Sequence, residues 1–194
     1  VHSVNALLGH EYGCSDYEYM NVVTSGLKNG MQVLNGTKPE NIYGTKTEAA
    51  SWSLFAQAQY SYNERYFFNA TFRADASSVF APKNKVGYFP AGSFAWLISN
   101  EDFMKSQDVV SFLKLRASYG LTGNSNIGNY KYLDIYGFNE RLQYQGVQGA
   151  YPETVANPYL HWETAVMRNL GIDVSFRNFL TLNIDVYSNL NRDL

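Results

Sequence analysis

The strongest constraint on the fold is a strict alternation of apolar and polar side chains between Trp52 and Ala76. In the first half every second position is apolar, namely Trp52, Leu54, Ala56, Ala58, Tyr60 and Tyr62. The positions between them are polar except for Phe55. A period of two places successive side chains on opposite faces of a β-strand. Because the pattern resumes after residues 63–65, the segment predicts an antiparallel hairpin with a short turn.

The same alternation recurs along the chain and predicts about seven strands in all. The other strands are predicted near residues 4–12, 88–98, 113–122, 170–176 and 180–186. Pro90 and Gly92 within one of them predict a bulge or bend. A helical period is absent except for one turn at residues 100–106, where Asn100 is a candidate cap. The predicted fold class is therefore all-β and antiparallel.

The connections between the predicted strands are strongly unequal in length. Short turns are predicted at residues 63–65, 100–108 and 177–178, and long segments at 13–48, 77–85 and 123–161. The long segments are rich in Gly, Asn, Tyr and Ser and carry no hydrophobic repeat of their own. Loops of this length without secondary structure are uncommon in compact soluble domains. One end of the sheet is thus expected to carry short turns and the other end long loops.

Composition excludes several function classes. The 194 residues carry a net charge of −2, and only 16% of them are charged, against roughly 25% in soluble domains. Nucleic acid is not an expected partner, since it attracts dense basic patches. The single cysteine, Cys14, excludes an internal disulfide framework. No apolar stretch approaches the length of a membrane-spanning helix, so any membrane crossing would use strands.

Two all-β architectures fit these strands. In a soluble sandwich the apolar face packs on a second sheet, but here that face is rich in alanine and the strands are predicted to run for ten or more residues. In an outer-membrane barrel the apolar face meets lipid and aromatic girdles flank it. Aromatic residues do gather at the predicted strand ends: Tyr60, Tyr62, Tyr66, Phe67, Phe68, Phe176 and Phe179. The pattern favours the barrel, with the Trp52 face toward lipid and the Ser51 face toward a polar lumen, and leaves a soluble carbohydrate-binding sandwich as the alternative.

Motifs for catalysis, metal binding and cofactor binding are weak, and we predict no catalytic residue, no metal site and no cofactor. Residues 123–128 have the glycine spacing of a phosphate loop, but Asn129 and Tyr130 stand where Lys and Ser or Thr are required. His2, His10 and His161 lie far apart without ligand spacing. The chain is therefore not expected to be an enzyme.

Three segments, residues 67–106, 113–133 and 157–194, resemble the barrel of SusC/RagA-type TonB-dependent transporters of Bacteroidetes-like bacteria. The most specific stretches are R-x-D-x-S-S-x-F from Arg73, FP at Phe89, LRASYGLTGN from Leu115 and NPYLHWET from Asn157. Each stretch alone is weak, whereas together they are specific.

The resemblance implies TonB-dependent import of glycans, oligosaccharides or peptides across the cell outer membrane. It also implies a SusD-like surface lipoprotein as partner, and energy from TonB-ExbB-ExbD through an N-terminal part of the protein. Members of the family have an N-terminal plug and a barrel of about 22 strands. Residues 1–194 are therefore expected to be part of one barrel domain, without the plug and the remaining strands.

Aromatic residues in the last long segment are the candidate substrate contacts, because aromatic rings on extracellular loops stack on sugar faces. These candidates are Tyr130, Tyr132, Tyr136, Tyr144 and Trp162, with Tyr151 in the same segment. The alternative is that they pack the loop against itself or against the partner lipoprotein. Charged residues on the lumenal face, namely Arg73, Asp75, Lys114 and Arg116, are instead expected to form a charge network.

Overall fold

The computed structural model describes residues 1–30, 33–34, 37–177 and 179–193, with the backbone alone for residues 139–142. The described residues form nine strands, which are, in chain order, β1 His2–Ser25, β2 Lys38–Tyr62, β3 Tyr66–Ser77, β4 Val86–Leu97, β5 Val110–Asn124, β6 Ile135–Tyr144, β7 Val147–Thr154, β8 Glu163–Phe176 and β9 Leu180–Arg192. Seven of them form one sheet in the order β1-β2-β3-β4-β5-β8-β9, and β6 pairs with β7 in a separate hairpin. All pairs are antiparallel. The predicted all-β class and the seven-stranded barrel segment are confirmed. The β6–β7 hairpin was not predicted, because it lies within the segment 123–161 that was assigned to a long loop.

The register carries the predicted alternation from strand to strand. Ala58 lies opposite Ala6 on β1 and Ala70 on β3, and Ile172 on β8 lies opposite Leu115 and Ile184. The apolar residues therefore share one face of the whole sheet, which we call the outer face, and the polar residues share the inner face. In the described part of the chain the second sheet is the β6–β7 hairpin, and it does not pack on the outer face. A sandwich would have covered it.

The first two strands are much longer than predicted. β1 has 24 residues and β2 has 25, so most of the predicted loop at residues 13–48 is strand and only residues 26–37 connect the two. β2 pairs with β3 only from Ser51 onward. Beyond that point residues 14–25 and 38–50 form a two-stranded ribbon, which we call the arm. The long-loop prediction was wrong here because neither face of the arm is apolar throughout, so the alternation that identified the other strands is lost.

Pro90 does not produce the predicted bulge. β4 pairs with β3 without a register shift from Trp96 to Val86. On its other side β4 pairs with β5 only from Ala91 to Leu97. Proline has no N–H to donate to a ladder, and Pro90 therefore stands where β4 and β5 separate.

The short turns at the other end are bound to one another. Asn63 and Glu64 turn the chain with φ of 48° and 53°, and the next short connection carries two 3₁₀ turns, Ile98–Asn100 and Asp102–Met104. Asn100 caps neither of them, so that prediction was wrong. Its side-chain amide instead donates to the Glu64 carbonyl at 3.0 Å. The predicted third turn includes residue 178, which lies outside the described residues.

Glu101 is the centre of this contact between turns. Its carboxylate accepts hydrogen bonds from the Tyr66 hydroxyl at 2.7 Å, the Trp96 indole at 3.0 Å and the Arg65 guanidinium at 2.9 Å. These donors, Tyr66 first, lower the pKa of the Glu101 carboxyl. Its side chain is only 11% exposed, and a carboxylate removed from water needs such donors.

In the described residues no helix is long and apolar enough to cross a membrane.

Candidate functional site

The outer face carries an aromatic belt near each end. At the short-turn end Tyr66 stacks between Tyr62 and Trp96, with ring centroids 6.3 and 6.0 Å away. One row higher Phe68 lies against Tyr60 and Phe94. The predicted girdle is present here, except that Phe67 pairs with Ser61 and Ala95 on the inner face. At the opposite end Tyr12, Trp52 and Tyr88 form the second belt, each exposed by 43% or more.

The distance between the belts matches a membrane. Ten residue steps separate Trp52 from Tyr62 on β2, which is about 33 Å along a strand. At a strand tilt of about 40° the belts lie about 25 Å apart, the height of the apolar band of outer-membrane barrels. Above the upper belt the same face becomes charged, where Lys46 pairs with Glu18 at 3.5 Å and Glu48 at 3.1 Å.

The inner face is polar, and Arg73 and Arg116 on this face are paired with carboxylates. Arg73 binds the Asp75 carboxylate at 2.7 Å, donates to the Ser53 hydroxyl at 3.0 Å and approaches Glu11 at 3.5 Å. The guanidinium also lies 5.7 Å from the centroid of Phe55. Phe55 is the one apolar residue among the inner-face positions from 51 to 61 of β2. Its ring lies over position 9, where a Cβ would come within 2.5 Å of it. Gly9 therefore makes room for the ring.

A second charge network spans three strands of the inner face. Arg116 on β5 bonds both oxygens of Asp173 at 2.8 and 2.9 Å and reaches Asp185 on β9 at 3.1 Å. Gly171 lies beneath, where a Cβ would come within 2.6 Å of the Asp185 oxygen. The predicted charge networks are confirmed for Arg73 with Asp75 and for Arg116. Lys114 makes no ion pair within the described part of the chain.

Trp162, one of the predicted substrate contacts, is anchored inside the protein. Its ring lies 5.2 Å from that of the fully buried Phe80 and 5.3 Å from that of Phe89. Its indole N–H donates to the Lys85 carbonyl at 3.0 Å. The ring of Phe89 in turn covers Gly123, where a Cβ would lie 2.0 Å from it. Trp162 therefore joins the end of the long loop to the loop between β3 and β4.

The other predicted contacts differ in how far their rings are open to solvent. The Tyr130 hydroxyl accepts from the Glu48 amide at 2.8 Å and donates to the Glu48 carbonyl at 3.2 Å, which fixes the loop to the arm. Tyr132 is half-buried. Tyr136 is 59% exposed and Tyr144 is 78% exposed on the β6–β7 hairpin. The structure thus leaves two of the five rings open to solvent and does not gather the five into one cluster.

Sequence reasoning missed three parts of this surface. The contact of Phe89 with Gly123 joins residues 34 positions apart, and only the FP and LTGN motifs drew attention to either. Tyr151, named as a neighbour of the predicted set, lies across Gly137 on the hairpin, where a Cβ would come within 2.7 Å of its ring. The arm was assigned to a loop, and none of its aromatic residues was named among the candidate substrate contacts.

The sheet has an apolar outer face between two aromatic belts and a polar inner face, with short turns at one end and long loops at the other. Such a sheet is the wall of a membrane-spanning β-barrel. Residues 2–194 match the family model described as TonB dependent receptor-like, beta-barrel. The chain belongs to this family.

The relatives that this chain matches are TonB-dependent receptors, as the sequence motifs indicated. The chain is 36% identical over 198 residues to TonB-dependent receptor P39 of Formosa agariphila, covering 100% of this chain and 19% of that protein. It is 35% identical over 163 residues to TonB-dependent receptor SusC of Bacteroides thetaiotaomicron, covering 81% of this chain and 16% of that protein. The solved structure of the RagAB peptide transporter superposes with a TM-score of 0.89 at 28% identity, covering 100% of this chain and 22% of that one. The chain therefore spans about a fifth of the length of these relatives.

Proposed function

We propose that this chain forms part of the wall of a transporter that imports glycans, oligosaccharides or peptides across the cell outer membrane in a TonB-dependent manner. The observation that carries the proposal is the sheet with two different faces, whose apolar band has the height of a membrane and whose inner face is hydrophilic. The names of two relatives, SusC and the RagAB peptide transporter, support the substrate classes. On this account residues 1–194 contribute strands to one larger barrel domain.

The inner face is suited to transport rather than catalysis. Arg73 and Arg116 are each bound by carboxylates of the same wall, and Arg73 also donates to the Ser53 hydroxyl. A charge that is already paired attracts passing solutes weakly, because its hydrogen bonds and Coulomb energy are already satisfied. A wall of this kind lets hydrophilic molecules pass without binding them tightly.

The two ends of the wall define where partners act in the proposal. The long loops and the β6–β7 hairpin form the extracellular end, where a SusD-like lipoprotein covers the substrate. The short turns around Glu101 form the periplasmic end, which faces TonB-ExbB-ExbD acting through an N-terminal part of the whole protein. Outer-membrane lipid surrounds the outer face.

Substrate contacts are proposed for the predicted loop aromatics, in two roles. Tyr136 and Tyr144 present open rings, and Tyr132 is partly accessible, so these three are proposed to stack on the substrate. Tyr130 and Trp162 are proposed to act beside them by holding the loops in place, since each already has hydrogen-bond partners in the neighbouring segments.

Site-directed spin labelling of the full-length protein in lipid vesicles tests the membrane orientation. Labels at Leu54, Phe72 and Leu115 on the outer face should be relaxed by lipid-soluble oxygen. Labels at Gln59 and Asn183, exposed on the inner face, should be relaxed by an aqueous nickel chelate. We choose these inner positions because the buried Ser53 and the ion-paired Arg116 and Asp173 would be disturbed by a label.

The opposite pattern of accessibility would overturn the transporter proposal. If the outer-face labels contact protein instead of lipid or water, the carbohydrate-binding sandwich becomes the better account, because a sandwich buries its apolar face against a second sheet.

A further inference from the structure

The arm has two chemically different faces. On the face continuous with the outer face lie Asp16, Glu18, Lys46 and Glu48, of which Lys46 and the two glutamates form ion pairs. The opposite face contains residues 17, 19, 21 and 23 of β1 and their partners 47, 45, 43 and 41 of β2. None of these eight residues is charged. By strand parity this neutral face continues the inner face of the barrel wall upward, beyond the upper aromatic belt.

Three tyrosines dominate the neutral face of the arm. Tyr17 is 56% exposed, Tyr19 41% and Tyr43 56%, so their rings are open to solvent. The rings of Tyr19 and Tyr43 are 6.3 Å apart and inclined by 59°. The Asn21 amide donates to the Tyr19 hydroxyl at 3.1 Å, which restrains this ring. Two half-buried threonines, Thr45 and Thr47, lie opposite Tyr19 and Tyr17.

The arrangement is that of a binding ladder for an extended ligand. Successive residues on one strand face repeat at about 6.7 Å, so Tyr17 and Tyr19 are stepped along the ribbon and Tyr43 continues the row on the other strand. Aromatic rings give a large contact area at low entropic cost, because each has only two side-chain torsions to fix. Hydroxyl and amide groups beside them supply hydrogen bonds that orient a polar ligand.

The charge pattern selects the ligand class. A peptide presents charged termini and side chains, which are bound by opposite charges, and the eight residues of this part of the arm carry no charge. An uncharged sugar chain presents C–H faces to aromatic rings and hydroxyls to amides and threonines. We propose that the face formed by Tyr17, Tyr19, Asn21, Tyr43, Thr45 and Thr47 is a binding site for a neutral oligosaccharide at the entrance of the barrel. The proposal rests on the transport function proposed above and specifies its substrate.

Binding to the full-length protein in detergent tests this site. The probes are maltohexaose, xylohexaose and laminarihexaose, measured by isothermal titration calorimetry, with a tryptic casein digest as the peptide probe. Replacing Tyr17, Tyr19 and Tyr43 together by alanine should weaken binding of the bound oligosaccharide about tenfold or more, the loss of several aromatic contacts. The matched control replaces Met20, Val22 and Ile42, which lie on the opposite face of the same part of the arm, and should leave binding unchanged.

Each outcome bears on the proposal. Equal affinity of the tyrosine variant and the parent protein overturns the site while leaving the transport function intact. Binding of the casein peptides and of none of the three sugars overturns the assigned ligand class. If the parent protein binds neither sugars nor peptides, and cells that carry it import neither, the transport function fails as well. Should the triple variant not reach the native barrel, the single substitutions Tyr17→Ala and Tyr43→Ala decide by the same criterion, each with a loss of about threefold expected.

Discussion

Replacing Ile184 by arginine is the most direct test of which face meets lipid. Ile184 lies on the outer face of β9, four residues from Leu180 at the lower end and four from Ser188. Ser188 pairs with Arg168 on β8. Counted upward from the short turn, Arg168 is the first charged residue on the outer face of β8, so it marks the upper limit of the apolar band. Four residues span about 13 Å along a strand, or about 10 Å in height at a tilt of about 40°. Ile184 therefore lies close to the middle of the apolar band, and its side chain is 55% exposed to the surroundings of the protein.

The expected effect follows from this depth. An arginine on the lipid face of a barrel costs about 2–4 kcal/mol at the bilayer midplane, which corresponds to roughly a 30- to 1000-fold change in the folding equilibrium. The matched control is Asn183→Arg, one residue away at nearly the same depth, where the side chain is exposed on the inner face near Asp173. This substitution should cost less than about 1 kcal/mol, because the new charge meets a polar surface and a carboxylate.

Reversible unfolding of the full-length protein in lipid vesicles, titrated with guanidinium chloride, measures both variants. The midpoint should fall for Ile184→Arg and remain near the parent value for Asn183→Arg, with equal slopes. If the two variants lose the same stability, or if Asn183→Arg loses more, the assignment of lipid to the outer face is refuted.

Three further predictions concern the turns and loops. Glu101 contributes stability that is fully present above the ordinary glutamate pKa of about 4.3 and is lost as the pH falls through its lowered folded-state pKa. The melting temperature in detergent should therefore fall less steeply with acidification in Glu101→Gln than in the parent protein. Gly123→Ala should lower the free energy of unfolding by about 1–3 kcal/mol, because the new Cβ overlaps the Phe89 ring. Adding Phe89→Leu should restore part of the loss, and an unchanged stability of the single variant would contradict the close approach of Phe89 to Gly123. Trp162→Ala should speed proteolytic cleavage within residues 125–160. Trp162→Phe loses the bond to the Lys85 carbonyl but keeps an aromatic ring beside Phe80 and Phe89, so its effect should be smaller. Equal cleavage of all three proteins would show that the ring does not hold the loop.

The barrel strands were predictable because a half-buried strand records its two environments in every second residue. Wherever one face meets an apolar medium and the other a polar one, as at residues 52–62 and 170–176, the alternation identified both the strand and its faces. The turn at residues 63–65 was predictable for a related reason, since three polar residues interrupt the pattern.

The arm was not predictable by the same rule. Above the upper belt each face mixes polar and apolar residues, as Glu18 and Met20 do on one face. The alternation between an apolar and a polar face is therefore lost in this part of the chain. The strands continue there because the hydrogen-bonded ladder between β1 and β2 extends without a shift as far as Val23. Ladder hydrogen bonds are made by the backbone, and the side-chain sequence records them only indirectly.

Site residues show the same division. The sequence named Tyr130, Tyr136 and Trp162 as equivalent loop aromatics, because residue type and position in a loop were the only available criteria. The structure separates them, since Trp162 is packed on Phe80 and Phe89, Tyr130 is bonded to Glu48, and Tyr136 is open.

Local periodicity and short motifs are enough to predict the strand class, the two faces and the family of this protein. The tertiary structure decided which residues meet across the sheet: Arg116 with Asp173 and Asp185, Glu101 with Arg65 and Tyr66, and Phe89 with Gly123. These contacts join residues 34 to 69 positions apart. Their partners are fixed by strand register and loop packing, which depend on the positions of many residues at once and leave no mark in any single segment of the chain.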